Sequence, residues 1–570
     1  MKKVLPALLV GALALTMAAC GGTNPGGTPS SGGNGSETSG PTNASAWDVK
    51  DTPYDQVKDG GNFTASYAYQ LETFNMNNIN GNEQTAILAL SPVSPVFWFT
   101  DGAGATTINP DYVVSADDSI VNGQLVIDLK MNPKATWNDG TQITAADWIA
   151  TVNAMNGQNP KFDVASSDGF DQIVSTKQGA DPSEVIFTFK ATYPDWIGIL
   201  VYGPMRAESC ATPDVFNDGW ATMPLGWQSG PYMIQSYDPT GGDIVEVPNP
   251  IWWGQKPKLD KLTWKMISDT TAASQAFANN EIDYNDMGPD ANAYAQAQGT
   301  PGAEIRTAEG PNFRQFTFNS KSPNLSDVNV RQAIVMGLDR SQIASSDLAG
   351  LPIDPKPLNN NIFMPVQEGY VDLGAKTGID YNPDGAKALL EQSGWVMNAT
   401  TGYYEKNGKE LDVKFAELVG VTTSENEYQQ AQAMLKEIGV KLVLQKVNTQ
   451  TDWPGVLDKE NFDIIAFSWM GTPYPLMNVS QIYGTPFDSN FAQLTIPTVD
   501  NNKDALASEM DPAKRLAIGQ EDAEAIWTAV HTLPLYQRPE FTAVNAKLVN
   551  IGAFGMARQP WDWTTVGYVD

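Results

Sequence analysis

The sequence is poor in the side chains that most catalytic and metal sites need. Among 570 residues there are two cysteines, Cys20 and Cys210, and one histidine, His531. Zinc and iron sites usually draw on several such ligands, and a Ser-His-Asp or Cys-His site needs a histidine beside its nucleophile. We therefore predict no metal, no cofactor and no catalysis. Cys210 is interpreted as a small buried apolar side chain, and His531 as a cap at a helix end.

Basic residues are scarce as well. Lysine and arginine number 35 against 65 acidic residues, which gives a formal net charge of -30. Nucleic-acid binding depends on clustered Lys and Arg, so this balance argues against a nucleic-acid partner. The acidity is best read as a solvated exterior that favours solubility.

Long apolar runs are absent except at the start of the chain. Lys2 and Lys3 precede an apolar run from Val4 to Ala19, and Cys20 follows small residues. The run is too short for a membrane-spanning helix and has the layout of a secretory lipoprotein signal. Cys20 is therefore the predicted mature N-terminus and lipid attachment point. Residues 21–46 are almost wholly Gly, Ser, Thr, Asn and Pro and are predicted to be a disordered tether.

The rest of the chain alternates helix and strand signals. Thr144 to Asp147 has the form of a capping box, and Asn382-Pro383 and Asp511-Pro512 are typical helix starts. Residues 427–438 carry an apolar stripe at helical spacing, and Phe462 to Phe467 reads as a fully buried strand. More than 500 residues are too many for one core, so we expect an α/β protein of two or more lobes.

Motifs spread over this region carry a family resemblance. They include the turn Trp137-Asn138-Asp139-Gly140-Thr141 before the Thr144 to Asp147 helix start, and also Ser229-Gly230-Pro231-Tyr232, Asn249-Pro250-Ile251-Trp252-Trp253, Asn279 to Asp283, Asn329 to Ile334 with Leu338-Asp339-Arg340, and Leu533-Pro534-Leu535-Tyr536. In their order and their residue types these motifs resemble those of the family 5 extracellular solute-binding proteins, the oligopeptide- and dipeptide-binding lipoproteins of ABC importers.

The resemblance implies a two-lobed periplasmic-binding-protein-like fold of class II, with mixed sheets, an extra subdomain and a hinge. A monomer would capture an extended peptide in the cleft between the lobes and deliver it to an ABC permease, touching the membrane through its lipid anchor only. The implied boundaries are a signal peptide over 1–19, a lipidated cysteine and linker over 20–46, lobe I over 47–89, 224–316 and 538–570, a lobe I subdomain over 90–223, and lobe II over 317–537.

The resemblance also implies ligand contacts in two regions, namely Asn80, Gly81 and Asn82, and then Ser468, Trp469, Met470, Gly471, Thr472 and Tyr474. Main-chain groups of the second region suit peptides of any sequence. Peptide binders of the family usually carry an aspartate for the ligand's amino terminus where this chain has Thr472. A buried ammonium without a counterion is costly, so Glu72 or Glu83 is expected to replace it, or the ligand is not an ordinary peptide.

Two alternatives remain open from the sequence. An oligosaccharide-binding member of the same family could stack sugar rings on tryptophans; the candidates are Trp98, Trp227, Trp253, Trp453, Trp469, Trp561 and Trp563. A more distant alternative is a surface-anchored glycan hydrolase with two catalytic carboxylates, for which Asp117-Asp118 or Glu521-Asp522 would be candidates. Side chains adjacent in sequence rarely share a site, and the hydrolase reading explains only the composition.

Overall fold

The fold is described from a computed structural model of the chain. It describes residues 46–82, 84–419, 421–448, 455–456, 460–486 and 489–570. The predicted signal and lipid attachment at Cys20, the alternative counterion Glu83 and the candidate Trp453 lie outside these ranges. Within them, no helix is both long and apolar enough to cross a membrane.

The strands of the described residues vary from short pairs to two long crossing strands. They are β1 Asn62–Tyr67, β2 Trp98–Thr100, β3 Thr106–Ile108, β4 Val113–Val121, β5 Gln124–Met131, β6 Ile173–Gln178, β7 Glu184–Phe189, β8 Tyr232–Tyr237, β9 Ile244–Pro248, β10 Lys261–Met266, β11 Tyr284–Asp286, β12 Ala303–Phe318, β13 Val396–Met397, β14 Tyr404–Lys406, β15 Lys409–Glu410, β16 Asp412–Leu418, β17 Lys441–Val447, β18 Ile464–Met470, β19 Thr532–Asn545, β20 Leu548–Val549 and β21 Gly567–Tyr568.

The α-helices cover the faces of the sheets. Their bounds are α1 Gln84–Leu90, α2 Ala145–Met155, α3 Pro213–Asp218, α4 Thr270–Ala278, α5 Ala291–Gln298, α6 Val328–Met336, α7 Arg340–Asp347, α8 Leu373–Thr377, α9 Pro383–Gln392, α10 Thr422–Glu437, α11 Val479–Tyr483, α12 Pro497–Ser508 and α13 Pro512–Ala529.

One mixed sheet of ten strands runs through the molecule in the order β17-β16-β18-β12-β19-β11-β1-β10-β9-β8. The long strands β12 and β19 pair antiparallel at its centre. Their ladder is interrupted where the register shifts between Glu309 and Phe313, so Gly310 to Asn312 have no ladder partner on β19. The Gly310 carbonyl accepts a bond from the Gln537 side chain at 2.8 Å instead. A second sheet, in the order β4-β5-β7-β6, stands apart from the first. The two long strands therefore join the two halves of the protein, as a hinge of crossing strands requires.

Buried apolar side chains form three main cores. The large core lies around α6, α10, α13 and β16 and includes Phe316 and Leu435; the base core lies around β1 and β10 and includes Phe63 and Trp264. The side core lies between the four-stranded sheet and α2 and includes Trp148. Apolar residues of α4 and α5 pack with the large core although they lie in the segment assigned above to lobe I. The predicted boundaries at 223, 316 and 537 stay predictions.

Local sequence signals for helix ends are confirmed. Thr144 and Asp147 form the predicted capping box of α2, and the side chains of Asn382 and Asp511 accept backbone N–H groups at the starts of α9 and α13. Gly394 and Gly439 follow α9 and α10 with positive φ angles, where glycine avoids the strain of a side chain. Helix α10 begins at Thr422, five residues before the predicted stretch. The apolar stripe does not indicate this earlier start because the first turns of the helix are polar.

One prediction is confirmed in part and one is wrong. The strand expected over Phe462 to Phe467 is β18, which begins at Ile464 and continues to Met470. Its second half is only partly buried because β16 pairs with Ile464 and Ile465 alone. His531 does not cap α13: its Nε2 lies 2.8 Å from Asn490 Oδ1, and burial lowers its pKa to about 3, so it carries no charge for the helix end.

The C-terminal carbonyls of α13 are instead capped by an arginine. Arg331 donates from Nε and Nη2 to the Ala529 carbonyl at 3.1 and 2.6 Å. The interpretation of Cys210 is confirmed, since its side chain is buried in the base core and burial raises its pKa to about 12. A thiol in that state is neither a nucleophile nor a ready metal ligand.

The side core also contacts the half that holds the large core. Arg515 of α13 forms a bidentate ion pair with Asp195, with Nη1 to Oδ1 at 2.8 Å, and both side chains are largely buried. Thr192 Oγ1 donates to the Ser508 carbonyl at 2.5 Å. Tyr474, from the loop after β18, packs inside the side core. These contacts join segments far apart in the chain and hold the two halves against each other.

Candidate functional site

The main candidate site is a cavity of about 500 Å³ where the crossing strands meet the base of the molecule. Its walls come from seven segments: Ser66 to Tyr69 around the end of β1, Leu88 of α1, Ile267 to Ala273, Tyr284 to Pro289 at β11, Gly310 to Asn312 of β12, Arg538 to Glu540 of β19, and Phe554 to Arg558. The stretch of β12 that lacks a ladder partner on β19 therefore forms part of the wall. A volume of this size accommodates a small organic ligand or part of a short peptide.

Two carboxylates lie in this cavity. Glu540 accepts the backbone N–H groups of Phe554 and Gly555 at 3.0 and 2.9 Å, and Asp286 accepts the N–H of Gly288 at 3.0 Å. Burial, aided by the nearby charge of Asp286, raises the pKa of Glu540 to about 8. Burial also raises the pKa of Asp286, against the opposing effects of its bond to Gly288 and of Arg538. The empty cavity therefore favours the protonated form of Glu540.

Two arginines line the same cavity. Arg558 donates from Nη2 to the Gly471 carbonyl at 2.8 Å, while its buried Nε has no hydrogen-bond partner among the described residues. Burial lowers the pKa of both Arg538 and Arg558. Within the part of the chain that the structure describes, none of the four charged groups of the cavity forms an ion pair. The site thus holds acidic and basic groups that form no ion pair with a described residue.

The predicted region after β18 borders this cavity at one point. Ser468, Trp469 and Met470 pair with Arg314, Phe313 and Asn312 of β12, and the Gly471 N–H donates to the Pro311 carbonyl at 2.6 Å. Gly471 thus contacts Pro311 and Arg558, which both line the cavity. Part of the main chain expected to bind ligand is therefore already bonded to β12.

The remaining side chains of that region are enclosed by protein. Trp469 stacks on Phe491 with ring centroids 6.0 Å apart, and its buried Nε1 has no partner among the described residues. Thr472 is buried, and its carbonyl accepts a bond from Gln367 at 2.8 Å. Tyr474 is buried in the side core. None of these side chains lines the 500 Å³ cavity.

The first predicted region borders a different and smaller cavity. The N–H groups of Asn80 and Gly81 both bond to Asn78, at 2.9 and 3.0 Å, so this turn uses them internally. Asn82 lines a cavity of about 140 Å³ between α1 and the side core. Helix α1 contributes to both cavities, since Ile87 lines the small one and Leu88 the large one. The structure does not bring the two predicted regions together in one pocket.

The charged residues of the cavity were missed in the sequence reading. Asp286 comes shortly after the Asn279 to Asp283 motif, and Arg538 and Glu540 come shortly after the Leu533 to Tyr536 motif. The sequence signal that could have indicated them is the presence of charged residues beside motifs whose strands lie in one sheet. The alternative counterion Glu72 is exposed and does not line the cavity.

Two other kinds of site, for a metal ion and for stacked sugar rings, were also considered from the described residues. These residues contain no group of three or more His, Cys, Asp or Glu side chains placed to hold a metal ion. No tryptophan of the described chain lines the 500 Å³ cavity, whose aromatic side chains are Tyr67, Tyr69, Tyr284 and Phe554. Trp98 and Trp563 are buried, and Trp561 stacks on Phe99.

Comparison with known proteins places the chain in a family. Residues 108–491 match the model of the bacterial extracellular solute-binding proteins, family 5 middle region. The oligopeptide-binding protein OppA of Mycobacterium tuberculosis is 34% identical over 517 residues, which cover 90% of this chain and 85% of the relative. OppA of Lactococcus lactis subsp. cremoris is 26% identical over 363 residues, 60% of this chain and 58% of the relative.

Solved structures show the same fold. The periplasmic EDTA-binding protein EppA aligns with a TM-score of 0.83 at 22% identity, covering 92% of this chain and 98% of its own. The oligopeptide-binding protein AppA from Bacillus subtilis, solved with a nonapeptide, aligns with a TM-score of 0.70 at 18% identity, covering 90% and 100%. The predicted two-lobed α/β fold is thereby confirmed. The chain belongs to family 5 of the bacterial extracellular solute-binding proteins.

Proposed function

We propose that this protein is the substrate-binding component of an ABC importer and that it captures peptides in the cavity between β11, β12 and β19. The observation that carries the proposal is the cavity itself, which holds acidic and basic groups without ion-pair partners among the described residues, beside a stretch of β12 that has no ladder partner on β19. A peptide supplies charged groups of both signs for these residues. It also supplies backbone N–H and C=O groups that can pair with an extended strand. The relatives named as oligopeptide-binding proteins support the same reading.

The proposed action is binding without chemistry. Acidic and basic groups that have no ion-pair partner among the described residues gain from a ligand that brings opposite charges. Nothing in the described cavity pairs a nucleophile with a base. Closing the two halves around the ligand would remove it from water and present a single surface to a permease. The buried contact of Arg515 with Asp195 supports a closed arrangement of the halves.

The proposed cellular setting follows from the N-terminal sequence. We infer an extracytoplasmic monomer that is attached to the cell membrane through a lipid on Cys20 after removal of residues 1–19. The Gly- and Ser-rich residues that follow would give the folded part freedom to reach its permease. Metabolic labelling with a palmitate analogue, compared with a Cys20→Ser variant, tests this attachment, and labelling of the variant would refute it.

A thermal-shift screen of the purified full-length protein tests the proposed ligand class. Mixed peptides of three to eight residues are expected to raise the melting temperature, because ligand at 100 times its dissociation constant adds about 2.7 kcal/mol of stability. An oligosaccharide panel and a set of metal–EDTA chelates serve as comparison. Stabilisation by sugars or by chelates, with none by peptides, would overturn the peptide assignment.

A further inference from the structure

We propose that Asp286 and Glu540 together bind the terminal ammonium of the ligand and so replace the aspartate that is missing at Thr472. The inference rests on the proposed function, since it concerns how a peptide is held in the same cavity. It assigns the ammonium to the wall of the cavity that β11 and β19 form.

Strand pairing places the two carboxylates side by side. In the ladder of β11 with β19, Asp286 stands opposite Thr542. Glu540 is two residues from Thr542 on the same strand, so both point to the face that carries Asp286. Diagonal neighbours of this kind lie about 7 to 8 Å apart between Cα atoms, which leaves room for one ammonium between two carboxylates. Both side chains line the cavity.

The surroundings of the pair favour a cation. Glu540 is oriented by the N–H groups of Phe554 and Gly555, and each carboxylate keeps oxygen lone pairs free for further donors. Among the described residues neither has an ion-pair partner, although Arg538 is close enough to favour ionisation of Asp286. Two like charges placed side by side repel, and a cation between them removes that repulsion.

Arg558 occupies a separate part of the cavity. Its guanidinium is bonded to the Gly471 carbonyl, and it is not among the groups whose charge changes the pKa of Asp286 or Glu540. A carboxylate or carbonyl oxygen of the ligand is the natural partner for its remaining donors. Of the two arginines, Arg538 is the neighbour of Asp286, and Arg558 is the one whose charge does not act on the carboxylates.

The competing candidate from the sequence does not share this geometry. Glu72 is exposed and does not line the cavity. Its replacement by glutamine is therefore a matched control for the charge change.

The test is calorimetric titration of the full-length protein with a random pentapeptide library, prepared once with free amino termini and once N-acetylated. We expect the wild-type protein to prefer the free form. Glu540→Gln and Asp286→Asn are each expected to weaken binding of the free form about ten- to a hundredfold and to change binding of the acetylated form less than about twofold. Glu72→Gln is expected to leave both affinities unchanged.

The outcomes separate this inference from the proposed function. If the wild-type protein binds neither library, peptide capture fails and the inference fails with it. If it binds both libraries equally, or if Glu72→Gln alone loses the preference, peptide capture stands and the assignment to Asp286 and Glu540 is wrong. Melting curves identify a variant that does not fold; Gln at 540 keeps one acceptor for the Phe554 and Gly555 amides, and Asp286→Asn gives an independent reading.

Discussion

Charged side chains are treated differently in the large core and in the cavity. In the core, Arg314 forms a bidentate pair with Glu427, with Nε–Oε1 and Nη2–Oε2 both at 2.6 Å, and Arg340 bonds to Asp380 and to two carbonyls. In the cavity, Arg538 has no such partner among the described residues, and Arg558 has one. Pairing inside the core serves the fold. In the cavity, the absence of such pairs leaves charged groups available to bind a ligand.

The largest expected effect comes from breaking the core pair. Glu427→Gln should lower the free energy of unfolding by about 3 to 5 kcal/mol, because Arg314 would be left as a buried charge without its partner. Urea denaturation followed by tryptophan fluorescence measures the change. Glu437→Gln, an exposed site on the same helix α10, should change stability by less than about 0.5 kcal/mol. Equal losses in both variants would end the distinction.

The pH dependence of stability tests the state of Glu540 in the empty cavity. Its carboxyl holds a proton up to about pH 8 when folded and releases it near 4.5 when unfolded. Between these values the folded state binds more protons, so the free energy of unfolding should fall as the pH rises.

Asp347, whose pKa burial raises to about 8, adds to this slope in the wild-type protein. Glu540→Gln should therefore give a shallower decline without removing it, as measured by urea denaturation at several pH values without ligand. Parallel curves for Glu540→Gln and the wild-type protein would show that the carboxyl titrates normally.

A smaller effect is expected where the two halves meet. Arg515→Met removes the ion pair with Asp195 and should weaken ligand affinity about tenfold, or roughly 1.4 kcal/mol, because the closed arrangement loses a largely buried contact. Calorimetric titration with peptides measures it. Lys514→Met removes the neighbouring exposed charge and should leave the affinity as it is. A loss of the same size in both variants would point to general charge rather than to the contact.

The smallest effect is expected from Arg538→Met. Because this guanidinium forms no ion pair with a described residue, its removal should change the free energy of unfolding by less than about 1 kcal/mol. The same denaturation assay applies, with Arg314→Met as the contrasting core variant. A loss from Arg538→Met as large as that from Arg314→Met would show that the cavity charges support the fold.

The sequence was informative about local structure and about family, and less so about the site. Helix starts at Thr144, Asn382 and Asp511 could be predicted because a cap and its N–H partners are only two or three residues apart. The two-lobed fold could be predicted because motifs of a known family occur in order. His531 was misread because its partner Asn490 is remote in sequence and meets it only after folding.

The cavity charges illustrate the same limit. Asp286 and Glu540 become neighbours only through the pairing of β11 with β19, a register that no local pattern encodes. The turn at Asn80 to Asn82 looked like ligand-binding backbone, but the side chain and carbonyl of Asn78 use its N–H groups first. Which main-chain groups remain free depends on tertiary partners, so a resemblance could name regions but not the contacting atoms.

The interrupted ladder between β12 and β19 has a consequence for the speed of ligand exchange. At Gly310 to Asn312 the two strands that join the halves share no ladder hydrogen bond, and the bond between them there comes from the Gln537 side chain, which can follow a bend. A joint of this kind adds little resistance of its own to opening. We therefore expect the residence time of a ligand to be governed by the contacts that ligand makes and by the Arg515–Asp195 pair, with weakly held peptides leaving quickly and well-matched ones remaining until a permease opens the halves.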